Sequence, residues 1–462
     1  MTETADVISE SLIRQYDVSG PRYTSYPTAD RFVETFTAQD YVRALEMRSC
    51  DAVALPLSLY VHIPFCDSLC YFCACNKIIT RHHDRTADYL RYLSLEADLH
   101  TNCMGLGQMV SQVHLGGGSP TFLSDDELRQ LVDMLRCHFS WAAKGEYSIE
   151  IDPRAVDAAR LDVLADLGFN RLSFGVQDFD VTVQKAVHRI QPSEQVFAVM
   201  EAARQRHFKS VNMDLIYGLP RQTPESFAHT LALIIQLRPD RIALYAYAHL
   251  PDRFKPQRKI VSEDIPQAAT KVTLLAQSMA ALMKAGYVYI GMDHFALPDD
   301  SLAIAKREGR LNRNFQGYST QPDGDLVGLG VSSIGRVGAT YSQNAKTMEA
   351  YCKSLDQGQF PVVRGLALSC DDVVRRAVIM ALMCQGRLTF ASIELAYLID
   401  FKAYFAMELS LLQEKVDQGL VTCNAIEIEV TAKGWFFVRA IAMVFDRYLQ
   451  TDRTGARFSK IL

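Results

Sequence analysis

Short apolar runs rich in β-branched and aromatic residues, each followed by a helix-length segment, fill residues 57 to about 290 and constrain the fold more than any other feature. The runs are LSLYVHI (57–63), QVHLGG (112–117), YSIEI (147–151), RLSFGV (171–176), SVNMDLI (210–216) and RIALYAY (241–247). Between them, DDELRQLVDMLRCHF (125–139) and PESFAHTLALIIQL (224–237) carry apolar residues at i, i+3, i+4 and i+7, with Ser124 and Thr223 at the N-cap positions. Strands that alternate with helices in this way run parallel, because each helix carries the chain back to the starting edge. A doubly wound sheet and a full or partial barrel share the rhythm, and periodicity does not separate them.

In either fold, ligands gather where parallel strands end. Glu150, Asp152, Gln177 and Asp214 all stand at predicted strand ends, and HLGGGSPTFL (114–123) places Gly116, Gly117 and Gly118 at another. Without Cβ atoms, a backbone can approach a ligand closely. Arg189, in VHRIQP just beyond Gln177, is placed to meet a ligand carboxylate.

With 462 residues, 49% of them hydrophobic, the chain can bury one large core and a smaller one. We expect an N-terminal arm (1–50), a catalytic α/β domain (51–292), a polar, Gly-rich covering segment (293–365) and a mostly helical C-terminal domain (366–462). In the last of these, residues 411–445 read as a helix, a strand pair IEIEVT/GWFFV and a second helix, similar to a small winged helix. A net charge of −5 and the lack of a dense basic patch argue against nucleic acid or an anionic membrane as partner. No stretch of about 18 apolar residues occurs, and no basic segment precedes an apolar one at the start, so a cytoplasmic protein is expected.

Eleven cysteines are present, and seven of them (Cys50, Cys103, Cys137, Cys352, Cys370, Cys384 and Cys423) lie scattered among apolar neighbours, as buried small hydrophobes do in a reducing compartment. Cys66, Cys70, Cys73 and Cys75 crowd into FCDSLCYFCACN (65–76), directly after the first strand. A structural zinc site commonly takes two CxxC pairs a dozen or more residues apart. Three thiolates at x3 and x2 spacing instead suit three corners of a 4Fe-4S cube, with the fourth iron left open to an outside ligand.

The spacing Cys66-x3-Cys70-x2-Cys73 with an aromatic at Phe72 resembles that of the radical S-adenosylmethionine (SAM) superfamily. Longer matches extend the likeness to the oxygen-independent coproporphyrinogen III oxidases. They are PRYTSYPTADRF (21–32), YVHIPFCDSLCYFCACNKIITR (60–81), HLGGGSPT (114–121), EIDPR (150–154), RLSFGVQDF (171–179), DLIYGLP (214–220), and DHFALPDD through RNFQGYST to LVGLGVSSIG. The resemblance implies a partial (β/α)6 TIM-like radical SAM barrel with an N-terminal arm and a winged-helix-like C-terminal domain. By the same resemblance Cys66, Cys70 and Cys73 ligate the cluster, while Cys75 is an additional, non-ligating cysteine. Tyr60 and Glu150 take catalytic positions beside the cluster and a first SAM, with Gly117 and Ile334 around that molecule. A second SAM maps onto Phe72, Gly118, Ser119, Gln177, Arg189, Asp214 and Ala248, and Arg22 onto a substrate propionate.

The family converts two propionates of coproporphyrinogen III into vinyl groups, giving protoporphyrinogen IX in haem biosynthesis. The resemblance thus implies an oxidoreductase with a low-potential electron donor, a terminal electron acceptor and no nucleic-acid or membrane partner, expected as a monomer. Radical SAM haem chaperones share much of this fold but typically lack the CxC cysteine and the PRYTSYP arm, both of which stand here.

Overall fold

The computed structural model describes residues 12, 15, 16, 18–50 and 55–451. The chain forms two compact units, neither continuous in sequence: residues 32–266 with 324–367, and residues 1–31 with 267–323 and 368–462. The sequence-derived boundaries at 50/51, 292/293 and 365/366 therefore do not coincide with the compact units, because the chain crosses from one core to the other four times between residues 31 and 368.

In the first unit, the predicted runs become parallel strands β1 (Leu57–Ile63), β2 (Gln108–Gly117), β3 (Phe139–Ile151), β4 (Arg171–Gln177), β5 (Ser210–Tyr217) and β6 (Arg241–Ala246), each paired with the next. β7 (Leu326–Leu329) adds a parallel strand on the outer side of β1. Antiparallel β8 (Ile334–Val337), β9 (Thr340–Asn344) and β10 (Val362–Ala367) follow in turn. Spatial order repeats chain order from β1 to β6, as in a barrel; a doubly wound sheet would reverse direction at a switch point. This geometry resolves what periodicity left open. β1 is buried at every position except the half-buried Tyr60, as a parallel strand covered on both faces must be. β3 begins earlier than the predicted 147–151, since a register shift against β2 between Val110 and Gln112 absorbs the Ala142–Gly145 stretch.

The crossover helices follow their sequence signals. Ser124 and Thr223 cap their helices in reciprocal capping boxes with Glu127 and Ser226. The helix Asp125–His138 buries Leu128, Leu131, Val132 and Leu135 along one stripe. Each such side chain contributes roughly 1.5–3 kcal/mol.

In the second unit, helices Cys370–Gln385, Phe390–Tyr397 and Ala406–Asp417 accompany a three-stranded sheet of Arg387–Thr389, Glu427–Val430 and Val421–Cys423, a winged-helix-like arrangement. The expected IEIEVT/GWFFV strand pair is not formed. Glu427–Val430 pairs with Arg387–Thr389 and Val421–Cys423, and Gly434–Phe437 is a 3-10 helix leading into helix Val438–Ala442. IEIEV alternates, with Ile428 buried and Glu429 exposed, whereas GWFFV has no alternation to commit it to a strand. A Cβ on Gly434 would lie 1.8 Å from the Leu420 carbonyl, and the Trp435 indole donates to the Ile290 carbonyl (2.9 Å), so close packing holds the turn. PRYTSYP is embedded here as well: Tyr23 and Tyr26 are fully buried, Tyr23 donates to Asp446 (2.9 Å), and Arg439 Nε donates to the Pro21 carbonyl (2.7 Å).

Of the seven scattered cysteines, only Cys384 is buried. Cys50, Cys137, Cys370 and Cys423 are exposed, and Cys103 and Cys352 half-buried. An apolar neighbour in sequence is no guide to burial on a helix: Cys137 lies off the stripe that Leu135 and His138 share.

One buried carboxyl links the long helix Asp84–Met104 to the β7–β9 region. Glu96 accepts from the Gly330 amide (2.7 Å), Asn344 Nδ2 (2.6 Å) and the Tyr351 hydroxyl (2.6 Å). Burial pushes its pKa from 4.5 up to about 7, although these three donors oppose the shift. A raised folded-state pKa adds stability that is complete below the unfolded value and is lost as pH rises through the folded one. Wild-type stability should therefore fall by up to about 3 kcal/mol between pH 4.5 and 8 relative to Glu96→Gln. Denaturant unfolding of both proteins across that range measures the difference, and parallel profiles would contradict it.

Candidate active site

At the carboxyl end of β1 the chain leaves through Pro64, and the two-residue strand Phe65–Cys66 pairs in parallel with Ile78–Ile79. The Ile78 amide donates to the Pro64 carbonyl (2.7 Å) and the Thr80 amide to that of Cys66 (3.0 Å), so the four-cysteine loop is closed at its base. The glycine segment after β2 grips it from the side: Gly118 N donates to the Ile63 carbonyl (2.8 Å) and Ser119 N to that of Phe65 (2.9 Å). A Cβ on Gly118 would lie 2.7 Å from the Pro64 carbonyl oxygen and 2.8 Å from that of Phe65. On Gly117, at φ +116°, it would lie 2.6 Å from the His62 ring.

Cys66, Cys70, Cys73 and Cys75 line a cavity of about 320 Å³ over the strand ends. Burial and the neighbouring Cys73 and Cys70 sulfurs push the Cys66 thiol up to about 12. A hydrogen bond from Cys75 holds the Cys73 thiol below its ordinary range against burial, and the Lys77 ammonium acts the same way. Among the described residues, no three His, Cys, Asp or Glu side chains converge on a single ion position. Neighbouring thiols on one cavity are the donor type that a multinuclear iron-sulfur group takes.

Phe72, Gly117, Gly118, Ser119, Glu150, Gln177, Arg189 and Asp214 line the same cavity. Tyr60 stands next to it: its ring stacks on His114 at 5.9 Å, and His114 Nε2 is 3.4 Å from Glu150 Oε1. Ile334 adjoins Tyr60 through the sheet, since Tyr60 pairs with Gly328 and the Ile334 carbonyl oxygen lies 2.7 Å from where a Gly328 Cβ would be. Ala248 is tied to the cysteine loop by Gln257 Nε2, which donates to the carbonyls of both Ala248 (3.2 Å) and Phe72 (3.1 Å). Arg22 belongs to the other unit, where it pairs with Asp293 (3.3 Å) and its carbonyl accepts from Arg313 Nε (3.3 Å).

Two carboxyls in the cavity are set apart by their surroundings. Burial pushes the Glu150 carboxyl up, but the His114 ring and the Gly117 amide, 3.1 Å from Oε2, outweigh it and leave the group below its usual range. Burial and the charge of Glu150 raise Asp214 to about 6, against hydrogen bonds from Asn212 (2.9 Å) and Ser173 (3.1 Å). At neutral pH the pair gives the floor a negative field suited to a cationic ligand.

Sequence reasoning missed the strand histidines and Arg154. His62 and His114 sit at polar positions within otherwise apolar runs, and that interruption was the available signal. Arg154 lay within the quoted EIDPR without a role, because nothing local shows which way a loop arginine turns.

A parallel sheet with a cysteine loop at its first strand end, a glycine segment at the second and carboxyls beyond is the site of a radical SAM protein. Residues 60–234 match the family model of the radical SAM superfamily, and residues 368–437 that of the HemN C-terminal domain. An oxygen-independent coproporphyrinogen III oxidase of Pseudomonas aeruginosa is 50% identical over 98% of both chains, and that of Escherichia coli 48% over 98% of both. The solved structure of the Escherichia coli coproporphyrinogen III oxidase, described as a radical SAM enzyme, superposes with a TM-score of 0.90, covering 96% of this chain and 99% of that one. The chain belongs to the oxygen-independent coproporphyrinogen III oxidase family.

The close approach at Gly118 yields a test of this geometry. Gly118→Ala forces backbone carbonyls apart, and overpacking of this kind costs about 1–3 kcal/mol. Denaturant unfolding of the metal-free protein should show a loss in that range; a loss below about 0.5 kcal/mol would be at the level of an unremarkable surface change.

Proposed function

We propose that the chain catalyses the oxygen-independent oxidative decarboxylation of two propionate side chains of coproporphyrinogen III to vinyl groups, giving protoporphyrinogen IX. The observation that carries this reading is the meeting of Cys66, Cys70 and Cys73 with Glu150 and Asp214 on one cavity, in a chain similar from end to end to enzymes named for that reaction. Cys66, Cys70 and Cys73 would hold a 4Fe-4S cluster, with Cys75 outside the ligand set. When bound, the cluster and SAM supply a 5′-deoxyadenosyl radical, which can take a hydrogen that no side-chain base removes from an unactivated propionate C–H bond.

The protein's own part is positioning and exclusion of water. Glu150, fixed by the Gly117 amide and His114, offers an ionised acceptor to the amine of a first SAM, with Tyr60 and Ile334 beside it. Burial and the Glu150 charge push the Tyr60 phenol up, so it stays neutral and can only share its proton. A second SAM would rest on Phe72, Gly118, Ser119, Gln177, Arg189, Asp214 and Ala248. The Arg189 Nε is buried without a hydrogen-bond partner among the described residues, which leaves one donor for a ligand. Arg22 would serve a substrate propionate. Arm, barrel, covering segment and C-terminal domain remain the functional divisions. A low-potential electron donor and a terminal acceptor complete the reaction, carried out by a cytoplasmic monomer. Among the described residues, no helix is long and apolar enough to cross a membrane.

In a reduced, oxygen-free assay, 5′-deoxyadenosine and protoporphyrinogen IX should appear together. SAM cleavage without vinyl product would refute the substrate. Serine at Cys66, Cys70 or Cys73 should abolish the cluster and both products, while Cys75→Ser should retain iron and sulfide; a cluster-free Cys75 variant would overturn the ligand assignment.

A further inference from the structure

Cys70, the buried member of the cysteine loop, faces two guanidinium groups that share one carboxylate. Arg189 Nη1 is 3.5 Å from Cys70 Sγ and Arg154 Nη2 is 4.0 Å from it. Asp152 orients both. It accepts from Arg154 Nε (3.0 Å) and Nη2 (2.6 Å), and from Arg189 Nη1 (3.2 Å) and Nη2 (3.3 Å). The carboxylate is itself fixed, because its Oδ1 also accepts the Arg154 backbone amide (3.1 Å) as the cap of the turn after β3. Arg189 Nη2 donates further to the Gly175 carbonyl (2.6 Å), and the Arg189 side chain is only 9% exposed. One carboxylate against two guanidiniums leaves a net positive charge pressed on a single sulfur.

We propose that Arg154, locked in place by Asp152, is a positioning residue that acts with Arg189 through N–H···S contacts to Cys70 to raise the reduction potential of the cluster. The inference rests on Cys70 being a cluster ligand, as proposed above. Reduction adds one electron to the cluster, and that charge spreads onto the thiolate sulfurs. Hydrogen bonds and positive charge at a ligating sulfur stabilise the more negative, reduced state, and both are recognised determinants of cluster potential. The effect is stronger in a partly buried site, where water screens less. A purely structural ion pair between Asp152 and Arg154 would hold the turn after β3 and leave the potential alone.

The test uses the cluster-loaded protein, oxygen-free and without added SAM, with iron and labile sulfide counted first. In an EPR-monitored redox titration, Arg154→Gln should lower the midpoint so that the reduced-to-oxidised ratio at fixed poise falls about tenfold, equivalent to about 59 mV for one electron. Arg154→Lys, which keeps the charge and loses the fork, should fall between the two. A fully loaded Arg154→Gln protein with the wild-type midpoint overturns the proposal. Should that variant not retain its cluster, pulsed EPR of the reduced wild-type protein carrying 15N-guanidino arginine decides the matter: weak 15N coupling supports the contacts, and its absence overturns them. Wild-type protein that takes up no iron and sulfide would instead sink the cysteine assignment, and this proposal with it.

Discussion

The site depends on two backbones lying closer than side chains would permit. Where β1 and β2 end, the amides of Gly118 and Ser119 meet the carbonyls of Ile63 and Phe65, and a Cβ on Gly118 would collide with both Pro64 and Phe65. That contact sets the four-cysteine loop against the glycine segment. The parallel register behind it, Ile63 opposite Gly117, brings both strand ends to the same level. Thiols supplied by one strand and amides supplied by the next therefore face a common space without any long connection to order.

Around this anchor, the sheet distributes charge by layer. Glu150 follows β2's glycines by one strand, and Asp214 lies two strands further on, with Ser173 between them hydrogen-bonded to Asp214. His114, one strand before Glu150, stacks on Tyr60 and keeps the carboxyl ionised, whereas Asp214 is raised by burial and by Glu150 itself. Two carboxyls of similar intrinsic acidity are thus driven apart in a shared cavity, as in sites where one group must remain charged and another can exchange a proton. Opposite in sign, Asp152 with Arg154 and Arg189 attends the Cys70 corner.

Much of the barrel was readable along the chain. The strands from β1 to β6 and the caps at Ser124 and Thr223 lie where apolar runs and hydroxyl residues place them, since burial on both faces and orphan helix amides leave local marks. GWFFV misled because bulky residues without alternation suit a packed turn as well as a strand, and only the close seat of Gly434 on Leu420 favours the turn. The scattered cysteines misled for a related reason: Cys137 has apolar residues nearby in sequence, but it lies off the buried stripe of its helix and is exposed.

By itself the sequence determined the βα rhythm, the thiol spacing Cys66-x3-Cys70-x2-Cys73 and the polar residues at strand ends, because each follows from the periodicity and chemistry of adjacent residues. Only the tertiary structure decided that the strands run in barrel order, that segments far apart in sequence share a core, and that Arg154 and Arg189 turn toward one sulfur. Strand order and side-chain direction are set by contacts between residues distant along the chain, and no local pattern carries that information.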